Sequence, residues 1–279
     1  MKNSQSFHGI LYAIWYVALL LLVQSLVSIV GMIVGALFQG KGNDMNLASL
    51  QQSMLTNSTL IIVVQVVFSL LVIAIFAWCK YTPFKRNFLA THPWTVLFWV
   101  VIMTFGTIIP SIWLQERLDV DMPEAMEELL MRMMGHPLGY LAIGIMAPLA
   151  EEVVFRGAVL RVPLRVFDDR WHWVAIAISA IVFGAVHGNT PQFINASLVG
   201  LLLGWMYYRT DSIVPGIVYH WVNNSIAFVM CNLMPGMQDV KLVDLFKGSQ
   251  SHVYLALLFS ACIFLPALYQ LSMRLRKSL

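Results

Sequence analysis

Eight long apolar stretches, at about 10–38, 59–79, 94–113, 139–160, 173–188, 191–208, 213–231 and 253–272, leave this 279-residue chain few ways to fold. A backbone in hydrocarbon must satisfy its own N–H and C=O groups, and about 20 apolar residues are needed to cross as a helix. The chain is therefore expected to be all-α: a polytopic membrane protein of about eight transmembrane helices, forming one integral membrane domain over 1–279. Composition agrees. Only 11% of residues are charged and 59% are hydrophobic, whereas a soluble domain carries about 25% charged residues. A net charge of +3 gives no reason to expect a nucleic-acid partner. Cys79, Cys231 and Cys262 lie on or beside apolar stretches without CxxC spacing, and are expected to be packed or lipid-facing thiols.

The first stretch is too long for a signal peptide and is expected to stay as a membrane anchor. The fifth and sixth are short and separated only by the Gly-Asn-Thr-Pro turn at 188–191, which suggests shortened helices around a cavity. Basic residues orient the set. Lys2, Lys80, Lys85, Arg86, Arg161, Arg165, Arg170, Arg209, Arg274, Arg276 and Lys277 fall on the side of the tails; Lys41, Arg117, Arg132, Lys241 and Lys247 fall on the other. Eleven against five places both termini in the cytoplasm by the positive-inside rule. Residues 39–58, rich in Asn, Gln and Ser, read as a flexible exterior loop. In 121–134, Asp121 can cap a helix with Glu124 three residues on, and Met126, Leu129, Leu130 and Met133 share one face. That segment is expected to lie on the outer surface as an amphipathic helix before the fourth stretch, an interfacial anchor in preference to a gate or substrate-docking element.

Ionisable groups inside a membrane are costly and mark functional sites by default. His8, His92, His136, His172 and His252 sit in loops or at span edges, where solvation explains them. Glu151, Glu152 and Arg156 lie mid-stretch in APLAEEVVFRGAVL. Glu152 and Arg156 are i and i+4 with the carboxylate first, the order that favours an ion pair. Glu151 is about 100° round the helix from Glu152 and is left without a local partner. An unpaired carboxylate there is suited to general-base work. In YHWVNNSIAF, His220 and Asn224 are also i and i+4, so an imidazole and a carboxamide on one face could donate to an oxyanion. His187 closes FGAVHG at the outer end of the fifth stretch, one turn after Phe183. Linear counting puts Glu151 mid-membrane, His187 near the outer face and His220 nearer the cytoplasm. If they meet, some helix around 173–191 must be short, tilted or broken.

These residues resemble a known family. EEVVFR (Glu151 to Arg156) looks like the EExxxR motif of the CPBP family of intramembrane proteases, which includes type II CAAX prenyl endopeptidase-like and bacteriocin-processing members. FGAVH (Phe183 to His187) resembles its FxxxH motif, and HWVNN (His220 to Asn224) its HxxxN motif. The likeness covers roughly 139–231; the stretches in 10–113 and 253–272 contribute no motif. It implies a central intramembrane catalytic cavity between the middle helices, and a substrate that is a membrane-embedded or membrane-associated peptide or protein. It further implies that Glu151 and His187 activate a water, that His220 and Asn224 hold the oxyanion, and that Glu152 and Arg156 organise the site. By the same analogy the setting is a bacterial cell membrane.

No HExxH is present. Glu151, His187 and His220 could together ligate a divalent metal such as zinc. Spending Glu151 on a metal would leave only Glu152 as base, and Glu152 is explained by Arg156, so a glutamate-dependent mechanism without a tightly bound metal is favoured. Two other classes remain: an ion-coupled transporter, whose proton relays also use buried Glu and His, and a non-catalytic membrane binding or immunity protein with an idle site. No inverted repeat or pair of broken helices of the transporter kind is visible in the sequence.

Overall fold

A computed structural model describes residues 2–40, 46–85, 87–234 and 240–275, with side chains from residue 9 onward. The chain is all-α among these residues. Helices α1 (Lys2–Phe38), α2 (Leu47–Leu55), α3 (Ser58–Trp78), α4 (Asn87–Ala90), α5 (Trp94–Leu118) and α6 (Glu124–Met134) lead into a long broken helix over 140–166. That helix contains a π-helical segment Tyr140–Met146, α7 (Ala147–Val154), a second π-helical segment Phe155–Leu160 and α8 (Arg161–Val166). After a 3₁₀ turn come α9 (His172–Ala185), α10 (Thr190–Thr210), α11 (Val214–Leu233), α12 (Leu242–Leu245) and α13 (Gln250–Arg274).

All eight apolar stretches are helical. Four described helices are long and apolar enough to cross a membrane unaided: Gly9–Phe38, Ser58–Trp78, Trp94–Leu118 and Gln250–Arg274. Of the other four, the fourth is broken by π-helical segments, the fifth has only 14 residues, and the sixth and seventh carry more polar residues. The segments alternate end to end. Lys85 pairs with Asp211, Arg161 donates to the Tyr81 carbonyl and Arg209 to that of Leu275, which gathers the loops after the second, fourth, sixth and eighth stretches at one end. At the other end Arg132 donates to the Leu55 carbonyl, Asn189 to the Met126 sulfur, and the Leu242 N–H to Glu116. Of the charges used for orientation, Lys41, Arg86, Arg276, Lys277 and the Lys2 side chain lie outside the described residues, as does the His8 side chain.

Two expectations change, and a third is met in part. The 39–58 segment is not simply a loop: α2 lies within it and packs on α1, with Ser53 fully buried and bonded to the Met32 carbonyl. Its asparagines are caps rather than a sign of looseness: Asn46 accepts from Ser49 N (2.8 Å) and Asn57 from Leu60 N (3.0 Å). Residues 41–45 of that expectation fall outside the described residues. Asp121 does not cap α6, which begins after Pro123 without a side-chain cap; Pro123 places the start two residues later. Finally, the fifth stretch is short as expected, since α9 has 14 residues, a length of about 21 Å against a hydrocarbon core of about 30 Å, whereas the sixth is not, since α10 has 21 residues. His187 lies just beyond it, on a turn completed by Gly188 at φ +70°.

Candidate active site

The site begins with the two π-helical segments flanking α7. Such segments are rare and concentrate at functional sites. The first has a visible cause. The Ala147 N–H donates five residues back, to Ala142 O, and the next residue is Pro148, which has no N–H. Ile143 O thus lacks both its α and its π donor, and Asn224 Nδ2 fills the place at 3.0 Å. Near the second segment, Val153 O accepts from Thr82 Oγ1 at 2.6 Å. Each break in the backbone ladder is therefore held by a side chain from another part of the chain.

Between the breaks lie the paired glutamates. Glu152 is fully buried, and its Oε1 accepts from Arg156 Nη1 at 2.8 Å. Arg156 is 1% exposed and lies 4.3 Å from the centroid of the Phe183 ring, a cation–π contact. The ion pair expected at i,i+4 is present, and it stands behind the cavity rather than in it. Gly216 makes room for it, since a Cβ there would come within 2.4 Å of Glu152 Oε2.

Glu151 faces the other way. It lines a cavity of about 370 Å³ together with His187, His220 and Asn224. All four residues singled out in the sequence thus meet in one space. His220 Nε2 is 3.6 Å from Glu151 Oε2, and its Nδ1 is 3.5 Å from Glu152 Oε1, so each ring nitrogen faces one carboxylate. Both distances exceed a normal hydrogen bond, and Glu151 Oε2 and His220 Nδ1 are buried without a hydrogen-bond partner among the described residues. His187 Nδ1 is 2.9 Å from the Phe183 carbonyl. A carbonyl only accepts, so Nδ1 carries the proton and a neutral ring keeps Nε2 free as an acceptor. Asn224 spends one N–H on Ile143 O and retains a second; its Oδ1 accepts from Asn223 Nδ2 at 3.2 Å.

Other lining residues had been given no chemical part in the site from the sequence. Phe183 is the hub, with its ring 5.2 Å from that of His187 and 5.9 Å from that of His220. Met126, Leu130 and Met133 of α6 also line the cavity, so that helix roofs the site instead of serving only as an anchor. Its amphipathic pattern is the same for either role. Gln65 and Ser69 on α3 were hidden for another reason: α3 carries no motif, and one Gln in a long apolar helix attracts no notice. Three side chains that could ligate a metal line this cavity, yet no group of three His, Cys, Asp or Glu among the described residues is gathered closely enough to hold an ion. Cys79, Cys231 and Cys262 are free thiols.

Comparison with known proteins bears on the same stretch. Residues 133–226 match the family described as Type II CAAX prenyl endopeptidase Rce1-like. The matched residues contain Glu151, Glu152, Arg156, His187, His220 and Asn224. The chain is also similar to Putative membrane peptidase YdiL of Bacillus subtilis (strain 168), at 26% identity over 94 residues, 34% of this chain and 37% of that protein. No solved structure matches. The likeness carried by the three motifs therefore holds over the segment that contains them all.

Proposed function

We propose that this protein is an intramembrane endopeptidase that hydrolyses peptide bonds of membrane-embedded or membrane-associated peptides. The observation that carries the proposal is the single cavity shared by Glu151, His187, His220 and Asn224. The similarity of residues 133–226 to a prenyl endopeptidase family, and of part of the chain to a bacterial protein named for membrane peptidase activity, supports it.

In this reading Glu151 is the general base. Its Oε2 has no hydrogen-bond partner among the described residues, so a water in the cavity can supply one. His187, fixed by its Nδ1–H bond to Phe183 O, offers Nε2 to the same water. Glu151 takes a proton as the water oxygen bonds to the scissile carbonyl carbon. The carbonyl oxygen becomes an oxyanion, held by the second N–H of Asn224 and by His220 protonated on Nε2. The C–N bond then breaks, and the proton on Glu151 passes to the leaving amine. Glu152 and Arg156 keep the His220 ring and the second π-helical segment in place. No step in this reading passes through a metal.

The test is direct. Purified protein and a Glu151→Ala variant are incubated with a library of membrane-embedded peptides, and products are read by mass spectrometry. Cleavage by the parent that is lost in the variant supports the peptidase. If neither protein cleaves, or both cleave equally, the proposal is wrong.

A further inference from the structure

The cavity has a wall that lies outside the matched residues. Leu20 and Gln24 of α1 and Gln65, Phe68 and Ser69 of α3 line the same space as Glu151. Within α3 the only polar residues past the first turn are Gln65 and Ser69, at i and i+4, so they share a face. Ser69 is fully buried, and its Oγ has no hydrogen-bond partner among the described residues. That is unusual: a serine or threonine in an apolar helix ordinarily donates to a carbonyl one turn back. Ser25 does so to Leu21 O, and Thr104 to Val100 O. Neither the Gln65 carboxamide nor that of Asn195, across the cavity on α10, has a partner among the described residues. Buried polar groups are normally satisfied. Of the three, Ser69 is buried while Gln65 and Asn195 are half-buried, and three unpartnered polar groups on one cavity wall point to a ligand that completes them.

We infer that Gln65 and Ser69, aided by Asn195, bind the main chain of an unwound substrate segment and present its scissile carbonyl to Glu151. The inference rests on the peptidase reading and deepens it. A peptide bond inside a helix has its carbonyl bonded and shielded, so the substrate must unwind before water can attack. Unwinding in a dry site frees N–H and C=O groups that are expensive to leave unpaired. A carboxamide offers a donor and an acceptor together, the same pair that a peptide unit requires. Apart from the candidate catalytic residues, no acidic or basic side chain among the described residues lines the cavity; Phe68, Met126, Leu130 and Met133 share it with the uncharged amides of Gln24, Gln192 and Asn223. The recognised class is therefore an extended, apolar polypeptide segment, selected by how readily its backbone unwinds rather than by a charged side chain.

The experiment uses the whole protein in lipid vesicles, with Gln65→Leu, Ser69→Ala and Glu151→Ala variants. The probes are one cleavable membrane peptide and a set of analogues in which single peptide bonds near the cut are replaced by esters, each removing one N–H. Ser69→Ala removes no intramolecular bond, so it is expected to keep its melting temperature and to lose roughly three- to tenfold in kcat/KM, mainly through KM. Gln65→Leu should behave alike. At one ester position the parent should lose activity while Gln65→Leu loses no more, because both changes remove the same hydrogen bond. If both variants cleave every peptide as the parent does, or if all ester effects are additive, the clamp is wrong while the peptidase reading stands. If activity falls only together with melting temperature, the residues are structural and the clamp is again wrong. If the parent cleaves nothing, both readings fall.

Discussion

At the residue scale the decisive contrast is between neighbouring carboxylates. Glu151 and Glu152 differ by one position, yet one lines a cavity with an unpartnered oxygen while the other is sealed in an ion pair. Different substitutions should therefore fail in different ways. Glu151→Gln is expected to keep its melting temperature in detergent and to lose about 10²- to 10⁴-fold in kcat, the usual contribution of a general base; an active variant would remove Glu151 from that role. Glu152→Gln or Arg156→Met alone strands a buried charge and should destabilise the fold by about 3–5 kcal/mol. The double Glu152→Met, Arg156→Met variant should recover much of that loss, and thermal unfolding of the three proteins checks it. Helical spacing made this split visible, because i,i+4 side chains meet and adjacent ones do not. Spacing could not show that His220 lies between the two glutamates, 3.6 Å from one and 3.5 Å from the other, since that contact joins helices far apart in the chain.

At the element scale, the helix bearing the glutamates is built from breaks. Pro148 removes a donor, and the Asn224 side chain takes up the freed carbonyl. Thr82 does similar work at Val153, and it sits against Gly157: a Cβ there would lie 2.2 Å from Thr82 Cγ2. Gly157→Ala should accordingly cost about 1–3 kcal/mol in thermal unfolding, and adding Thr82→Ser, which deletes that methyl, should restore part of it. An unchanged melting temperature in Gly157→Ala would deny the contact. The short α9 reconciles the depths that linear counting left in conflict, because a helix of 14 residues ends before the bilayer does. The amphipathic α6 was legible as an element from its sequence. Its place over the cavity was not, because a moment gives the direction of the apolar face and not what the face covers.

For the whole molecule, eight helical segments alternate between two ends, each end tied by contacts between loops distant in sequence. Arg165 and Arg132 are exposed near opposite ends. In a background with Cys79, Cys231 and Cys262 replaced by Ser, Arg165→Cys and Arg132→Cys should react with a membrane-impermeant thiol reagent from opposite faces of a sealed vesicle. Labelling of both from one face would break the alternation. The amino-acid sequence alone determined the all-α membrane class, the approximate limits of the apolar helices, the Glu152–Arg156 pair and four of the residues gathered in the cavity, Glu151, His187, His220 and Asn224. Those properties are local: apolar length, helical period and the cost of a charge in hydrocarbon act within a few turns of one segment. The tertiary structure decided the rest: His220 set between two carboxylates, α6 over the cavity, α2 inside an expected loop, and Gln65 and Ser69 facing Glu151 from a helix without a motif. Each of these depends on how separate helices pack. Apolar surfaces leave that packing open until interlocking side chains and shared hydrogen bonds choose one arrangement.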